Sequence, residues 1–225
     1  MILAGDTDSP ESAAALESLC RGYWYPLYAF VRRQGHDPHE AQDLTQAFFT
    51  DLLKKRFLKT VDREKGKFRS YLLARLKNFL ANDWTYQRRQ KRGGGQGLFS
   101  LDEAAAEGRY GEEPRDNATP ESLFERRWAQ AILDEVFRKL AAEYEGTESP
   151  RRFAELKRFL IETQEADTYA EVAARLGMSE SAVKSAIHRL RQRYRELFRA
   201  EIASTVATVA EVDEEIRYLF AALRG

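Results

Sequence analysis

The stretch TYAEVAARLGMSESAVKSAIHRLRQRY, residues 168 to 194, admits few folds. Thr168 with Glu171 at the third helical position is a capping box, in which each residue satisfies a free N–H of a helix start. Gly177 falls where that helix should stop, because glycine takes a positive φ without strain. Ser179 then caps a second helix after a turn of only three residues, Gly177 to Ser179. Ala173, Leu176, Val183 and Ile187 are spaced to fill the angle between the two helices. Caps at fixed offsets, a glycine turn and a basic continuation predict a helix-turn-helix, whose second helix inserts into a DNA major groove. An unrelated helical hairpin is the alternative, and the caps and basic continuation weigh against it.

On the second helix the early turns point at base edges and later cations reach phosphates. Ser181, Lys184, Ser185, His188 and Arg189 are the residues expected to face DNA. His188 reads as a polar contact rather than a metal ligand, since no second ligand lies near it in sequence. Arg191, Arg193 and Arg195 read equally as phosphate partners or as solvated charges.

The rest of the chain repeats the basic theme once. Formal charge over all 225 residues is zero, but it is distributed in blocks. Residues 1–19 hold four acids and no base, and WTYQRRQKR at 84–92 holds four bases and no acid. Residues 100–125 hold eight acids against two bases; residues 184–199 hold six Lys/Arg and one Glu. Two basic surfaces joined by an acidic connector are an electrostatic footprint for nucleic acid, the alternative being solvated helix faces. Charged residues reach 32% and apolar ones 43%, with Leu, Ala, Glu and Arg favoured over Val and Ile, which suits small helical domains.

The periodicities predict an all-α chain of two small helical domains joined by an acidic flexible linker. Ser9 and Pro10 open a first helix with Leu16, Leu19, Cys20, Tyr23 and Leu27 on its apolar side, and Pro26 should kink or interrupt it. Gly35 and HDP make a turn, with Asp37 as N-cap of HEAQDLTQAFFTDLLKK. That helix carries Ala41, Leu44, Phe48 and Leu52 inside and Glu40, Asp43, Thr45, Gln46 and Thr50 on a polar face. After Gly66 one long helix places Phe68, Leu72, Leu76, Phe79, Leu80 and Trp84 on a stripe. Arg69, Lys77, Asn78, Asn82, Arg88 and Arg89 are left mainly on its other faces. GGGQG at 93–97 has linker composition and marks a boundary. The expected segments are a domain over 9–92, a linker over 93–118, a domain with the helix-turn-helix over 119–199, and a helical extension over 200–225. Within the extension, Val209, Val212, Ile216, Phe220 and Leu223 define a stripe expected to pack on its own domain; contact with a regulator or with the first domain is the alternative.

The single cysteine, Cys20, excludes an intramolecular disulfide and reads as a buried thiol. No run approaches the length of a membrane span, and MILAGDTDSPES lacks the basic start of a secretory signal, so a cytoplasmic protein is expected. Scattered histidines, and a glycine run that follows a basic helix rather than a strand, leave no catalytic or cofactor site; no enzyme and no cofactor are expected.

Taken in order, these motifs resemble the extracytoplasmic-function (ECF) subfamily of sigma-70 RNA polymerase sigma factors. The helix-turn-helix is similar to their promoter-binding end. AQDLTQAFFTDLL resembles the domain 2 helix that docks on the polymerase clamp, and FRSYLLARLKNFLANDW with RRQKR resembles the helix that reads and opens the −10 element. The resemblance covers about residues 12 to 199 and implies a bacterial transcription-initiation subunit that lends promoter specificity to core RNA polymerase. It implies −35 contacts at Ser181, Lys184, Ser185, His188 and Arg189, and −10 contacts at Arg69, Lys77, Asn78, Asn82, Arg88 and Arg89. It implies clamp contacts at Glu40, Asp43 and Gln46. Opening a duplex needs a basic track and a platform for an extruded base; Trp84 could be that platform, although its stripe position favours the core.

Departures from the family pattern are also present. Gln42 and Ala47 stand where acids are usual and Thr45 where an aliphatic is; Asn82 stands where an Asp is frequent, unless Asp83 is shifted into that role. Ala186 stands where a basic residue is common in the recognition helix. The thinned acidic face makes Thr45 a candidate phosphorylation site, because a phosphate there would add nearly two negative charges; an ordinary surface threonine is the alternative. Expected partners are core RNA polymerase, promoter DNA, and an anti-sigma factor or a Ser/Thr kinase. The competing reading of the whole chain is a helix-turn-helix regulator that binds DNA without joining polymerase.

Overall fold

The computed structural model describes residues 10–54, 67–87, 103–113, 118–147, 150–161 and 168–224. Among these, every regular element is helical: α1 (Pro10–Arg33), α2 (Pro38–Lys54), α3 (Phe68–Gln87), α4 (Glu103–Gly111), α5 (Pro120–Thr147), α6 (Pro150–Leu156), α7 (Arg158–Ile161), α8 (Tyr169–Leu176), α9 (Glu180–Ala203), a 3-10 turn (Val209–Glu211) and α10 (Val212–Arg224). No described helix is long and apolar enough to cross a membrane. The chain divides into two compact units, one formed by Met1–Ala131 with Ile202–Gly225 and the other by Ile132–Glu201.

The first unit is organised around α1. Residues 23 to 31 are all buried, Pro26 among them, and the helix continues through the proline instead of ending at it. A proline costs a helix one backbone bond. Here burial on all sides, with Trp24 stacked on Tyr28 at 5.1 Å, holds the helix together, so tertiary packing overrides propensity. Asp37 does cap α2, accepting the Glu40 N–H at 2.9 Å, and Gly35 supplies the left-handed turn at φ 98°.

The inner face of α2 is wider than the sequence stripe. Phe49 is 1% exposed and joins Ala41, Leu44, Phe48 and Leu52 inside. Turning Phe49 inward also turns Thr45, one helical turn before it, into the core. On α3, Phe68, Leu72 and Leu76 are buried as expected; Phe68 meets Tyr23 edge to face at 5.4 Å.

The segment expected to be pure linker contains α4. Its Glu107 accepts hydrogen bonds from the Tyr28 hydroxyl at 2.6 Å and from Arg32 at 2.7 and 2.9 Å. Glu113, just beyond α4, accepts the Tyr25 hydroxyl at 2.8 Å and also pairs with Arg127. The acids of the connector thus bind α1 and α5, which periodicity alone could not reveal.

In the second unit, Phe153 and Leu156 of α6, Val172 and Ala173 of α8, and Val183, Ile187 and Leu190 of α9 form one buried cluster with Leu140 of α5. Burying each Leu, Ile or Phe side chain contributes about 1.5–3 kcal/mol, which is what clamps the short α8 in place.

The C-terminal extension belongs to the first unit, not to the helix-turn-helix unit on which it was expected to pack. Its buried face is also rotated. Val212, Glu215 and Leu219 point inward, whereas Val209 is 83% and Phe220 45% exposed. The reason is Glu215, which faces inward to meet a buried cation.

Candidate nucleic-acid interface

The helix-turn-helix forms by the local chemistry its sequence specifies. Thr168 accepts the Glu171 N–H through its side chain, and the Glu171 carboxylate accepts the Thr168 N–H at 2.8 Å, completing the capping box. Gly177 adopts φ 64°, and two bonds close the helix end: Gly177 N–H to Ala174 O at 3.4 Å and Met178 N–H to Ala173 O at 2.9 Å. This six-to-one and five-to-two pair is a Schellman ending. Ser179 Oγ then accepts the Ala182 N–H at 3.2 Å and starts α9.

Helix α9 has two opposed faces. Val183, Ala186, Ile187 and Leu190 are buried, while Ser181, Lys184, Ser185, His188 and Arg189 are all exposed. The five residues expected to face DNA therefore share one solvent side, beginning at the first turn of the helix. Ala186, singled out for its lack of charge, is instead a core residue at 3% exposure, because it belongs to the buried cluster of this unit.

Neighbouring groups tune this surface. The Lys184 ammonium lies 5.2 Å from the centroid of Tyr169, which stacks on Phe159 at 5.6 Å. Arg191 donates to the Phe159 carbonyl at 3.0 Å, which ties it to the first part of the domain. Arg193 is held by Glu143 at 2.6 Å and by Glu196 at 3.1 Å. Hydrogen bonds to Glu143 and then Glu196 raise the Arg193 pKa, and the Arg193 bond lowers that of Glu143. Of the three later arginines, Arg193 already has counter-charges and Arg195 is exposed.

The second basic surface is arranged differently. On α3, Asn78 and Asn82 are exposed. Lys77 is 44% exposed at its side chain and pairs with Glu121 at 2.6 Å. Arg69, expected among the DNA contacts, is buried at 5% exposure. Its Nε donates to Glu215 at 2.6 Å, and its guanidinium lies 3.8 Å from the Tyr218 ring centroid and 5.0 Å from that of Trp128. Burial works against that charge, but the hydrogen bonds from Arg69 to Glu215 more than offset it and raise the pKa. In this structure Arg69 faces a carboxylate, not solvent. Arg88, Arg89 and the Trp84 side chain lie outside the described residues.

On α2, Asp43 and Ala47 are exposed, Gln46 is half-buried, and Glu40 pairs with His36 at 3.0 Å. Thr45 corrects the expectation drawn from it. It is 0% exposed and its hydroxyl donates to the Ala41 carbonyl at 2.7 Å. No kinase can reach that hydroxyl in the folded helix, and a phosphate there would be a buried dianion. The reason to expect a kinase at Thr45 goes with it.

Sequence reasoning also missed partners that lie far away in the chain. Glu107, Glu113 and Glu215 looked like solvated acids, and only the spacing of Val212 and Leu219 around Glu215 hinted that the last was on an inner face.

A capped helix-turn-helix with an exposed polar outer face has the form of a DNA-binding unit. A family model described as Sigma-70 region 2 matches residues 22–90, and one described as Sigma-70, region 4 matches residues 168–193. No curated protein and no solved structure matches. The chain thus carries sigma-70 regions 2 and 4, in that order. Its two regions give it a sigma factor's role in promoter recognition, which entails binding core RNA polymerase and promoter DNA.

Proposed function

We propose that the chain is an ECF-type sigma factor, a non-catalytic subunit that directs core polymerase to a two-part promoter and opens the −10 element. The observation that carries this reading is the outer face of α9: five polar residues all exposed opposite a fully buried inner face, in a chain that also contains region 2. Ser181, Lys184, Ser185, His188 and Arg189 read the −35 element. Lys77, Asn78 and Asn82, continuing toward Arg88 and Arg89, form the −10 track. Asp43, with Glu40 and Gln46 beside it, meets the clamp. Arg69 is left out of the DNA set because of its burial.

Selection of promoter DNA from a random library by reconstituted holoenzyme, followed by run-off transcription, tests this. Two enriched blocks and a promoter-dependent transcript are expected. A chain that binds DNA alone but neither co-purifies with core polymerase nor supports transcription would instead be a helix-turn-helix regulator.

A further inference from the structure

The start of α3 is held mainly by residues more than a hundred positions downstream. Phe68 donates its N–H to the Thr205 carbonyl at 3.1 Å. Lys67 pairs with Glu214 and Glu215, each at 3.0 Å, and Arg69 pairs with Glu215 at 2.6 Å and with Glu125 at 3.3 Å. Tyr218 covers Arg69, and its centroid is 5.5 Å from the Lys67 ammonium. Glu215 itself is 0% exposed.

This arrangement resolves a local conflict. The N-terminus of a helix carries free N–H groups and a partial positive charge, so cations there are unfavourable. Lys67 and Arg69 place two cations at the N-terminal end of α3. Nothing in the first turn of α3 is acidic. Helix α10, by contrast, begins with Asp213, Glu214 and Glu215 in its first turn. Two of these carboxylates, Glu214 and Glu215, therefore serve two positive helix ends, those of α10 and α3. Thr205 adds a carbonyl for one of the free N–H groups.

We propose that the C-terminal segment 204–224 is a clasp that sets the start of α3, with Glu215 as its central positioning residue. Glu215 contacts no DNA; it acts through Arg69 and Lys67 to fix the end from which the −10 track runs. The segment following the helix-turn-helix is therefore a working part of the −10 domain. This inference rests on reading α3 as the −10 helix.

The test uses the full chain with Glu215→Gln, Tyr218→Ala and Glu214→Gln, the last changing a carboxylate whose side chain is 63% exposed. Hydrogen exchange on the free proteins reads the first turns of α3. Opening of the promoter selected by wild-type holoenzyme is read by 2-aminopurine placed in its −10 element. Duplex binding of the −35 element is read alongside, all at a temperature where circular dichroism shows each variant folded. Glu215→Gln is expected to lose protection at residues 68–72 and to open the promoter roughly tenfold less, since breaking a buried pair is strongly destabilising. Tyr218→Ala is expected to lose about threefold, as a desolvated cation–π contact would, and carries the test if Glu215→Gln does not fold. Glu214→Gln and all −35 affinities are expected to stay within about twofold, as exposed pairs contribute little. Unchanged α3 protection and opening in Tyr218→Ala and in any folded Glu215→Gln overturns the clasp, as does an equal fall in −35 binding. A wild-type holoenzyme that opens no promoter overturns the reading of α3 and the clasp with it; altered exchange in the free variants would then leave only a structural tie.

Discussion

The two units handle polar side chains in opposite ways. Among the described residues, the buried polar or charged side chains are Thr45, Arg69, Glu113, Thr205 and Glu215, and every one lies in the first unit. The second unit has an apolar core and keeps its charges outside. Burying a polar group is costly unless it is hydrogen-bonded, and each of the five has a partner: Thr45 the Ala41 carbonyl, Thr205 the Ile202 carbonyl, Glu113 Tyr25 and Arg127, and Arg69 and Glu215 each other. In the second unit a charged letter in the sequence reads as surface. In the first it does not.

The sharpest way to break that contrast is at Thr45. Thr45→Glu should destabilise the first unit by about 3 kcal/mol or more, because the new carboxylate is buried without a partner. Thr45→Val should stay within about 1 kcal/mol, since only one side-chain bond to an already used helix carbonyl is lost. Urea unfolding followed by tryptophan fluorescence reads this unit selectively, as no tryptophan lies within 132–201. A Thr45→Glu chain as stable as wild type would refute the burial.

Arg69→Met should cost about 3 kcal/mol by leaving Glu215 buried with a weakened partner set, and adding Glu215→Leu should recover much of it. Failure of the double variant to recover would mean that the pair is more than a mutual neutralisation. In the second unit the effects should be smaller and local. Thr168→Ala removes the cap of α8 and should cost about 1 kcal/mol, seen in far-UV circular dichroism with the tryptophan transition unmoved.

A weaker, pH-dependent effect is expected at the connector. The Glu107 pKa is lowered from the ordinary 4.5, chiefly by its hydrogen bonds from Arg32. A carboxylate depressed in the folded state stabilises fully above its unfolded pKa and loses that contribution as pH falls through the folded value. Wild type should therefore lose melting temperature more steeply than Glu107→Gln as pH falls below the ordinary 4.5 and through the lower folded value. The effect is small because the Glu107 side chain is 34% exposed. Parallel curves would show that the Glu107 carboxylate adds nothing to the docking of α4. Smallest for stability is Arg189→Met, which should leave the fold untouched yet reduce the salt slope of −35 binding by about one if it meets a phosphate, or relax specificity if it reads a base.

What could be read in advance follows the range of the interactions involved. Thr168, Glu171, Gly177 and Ser179 act within a few residues of themselves, so the helix-turn-helix was legible down to its caps. The stripe of α3 was legible because Phe68, Leu72 and Leu76 obey helical spacing. The inner face of α2 was missed at Phe49, and Thr45 was misplaced with it. Apolar spacing runs the face of α10 through Val209 and Phe220, because nothing near Glu215 in the sequence marks it as buried. Helix α4 escaped notice because its docking depends on Glu107 and Glu113 finding tyrosines on α1.

By itself the sequence determined the helical class, the two regions in their order and the residues presented on α9. Caps, glycine conformation and apolar periodicity are local, and local chemistry is written in neighbouring letters. Only the tertiary structure decided that Thr45 is core, that the acidic connector carries a docked helix, and that Arg69 belongs to Glu215. A charge is drawn inside only by a partner that satisfies it, and here that partner lies 146 residues away along the chain.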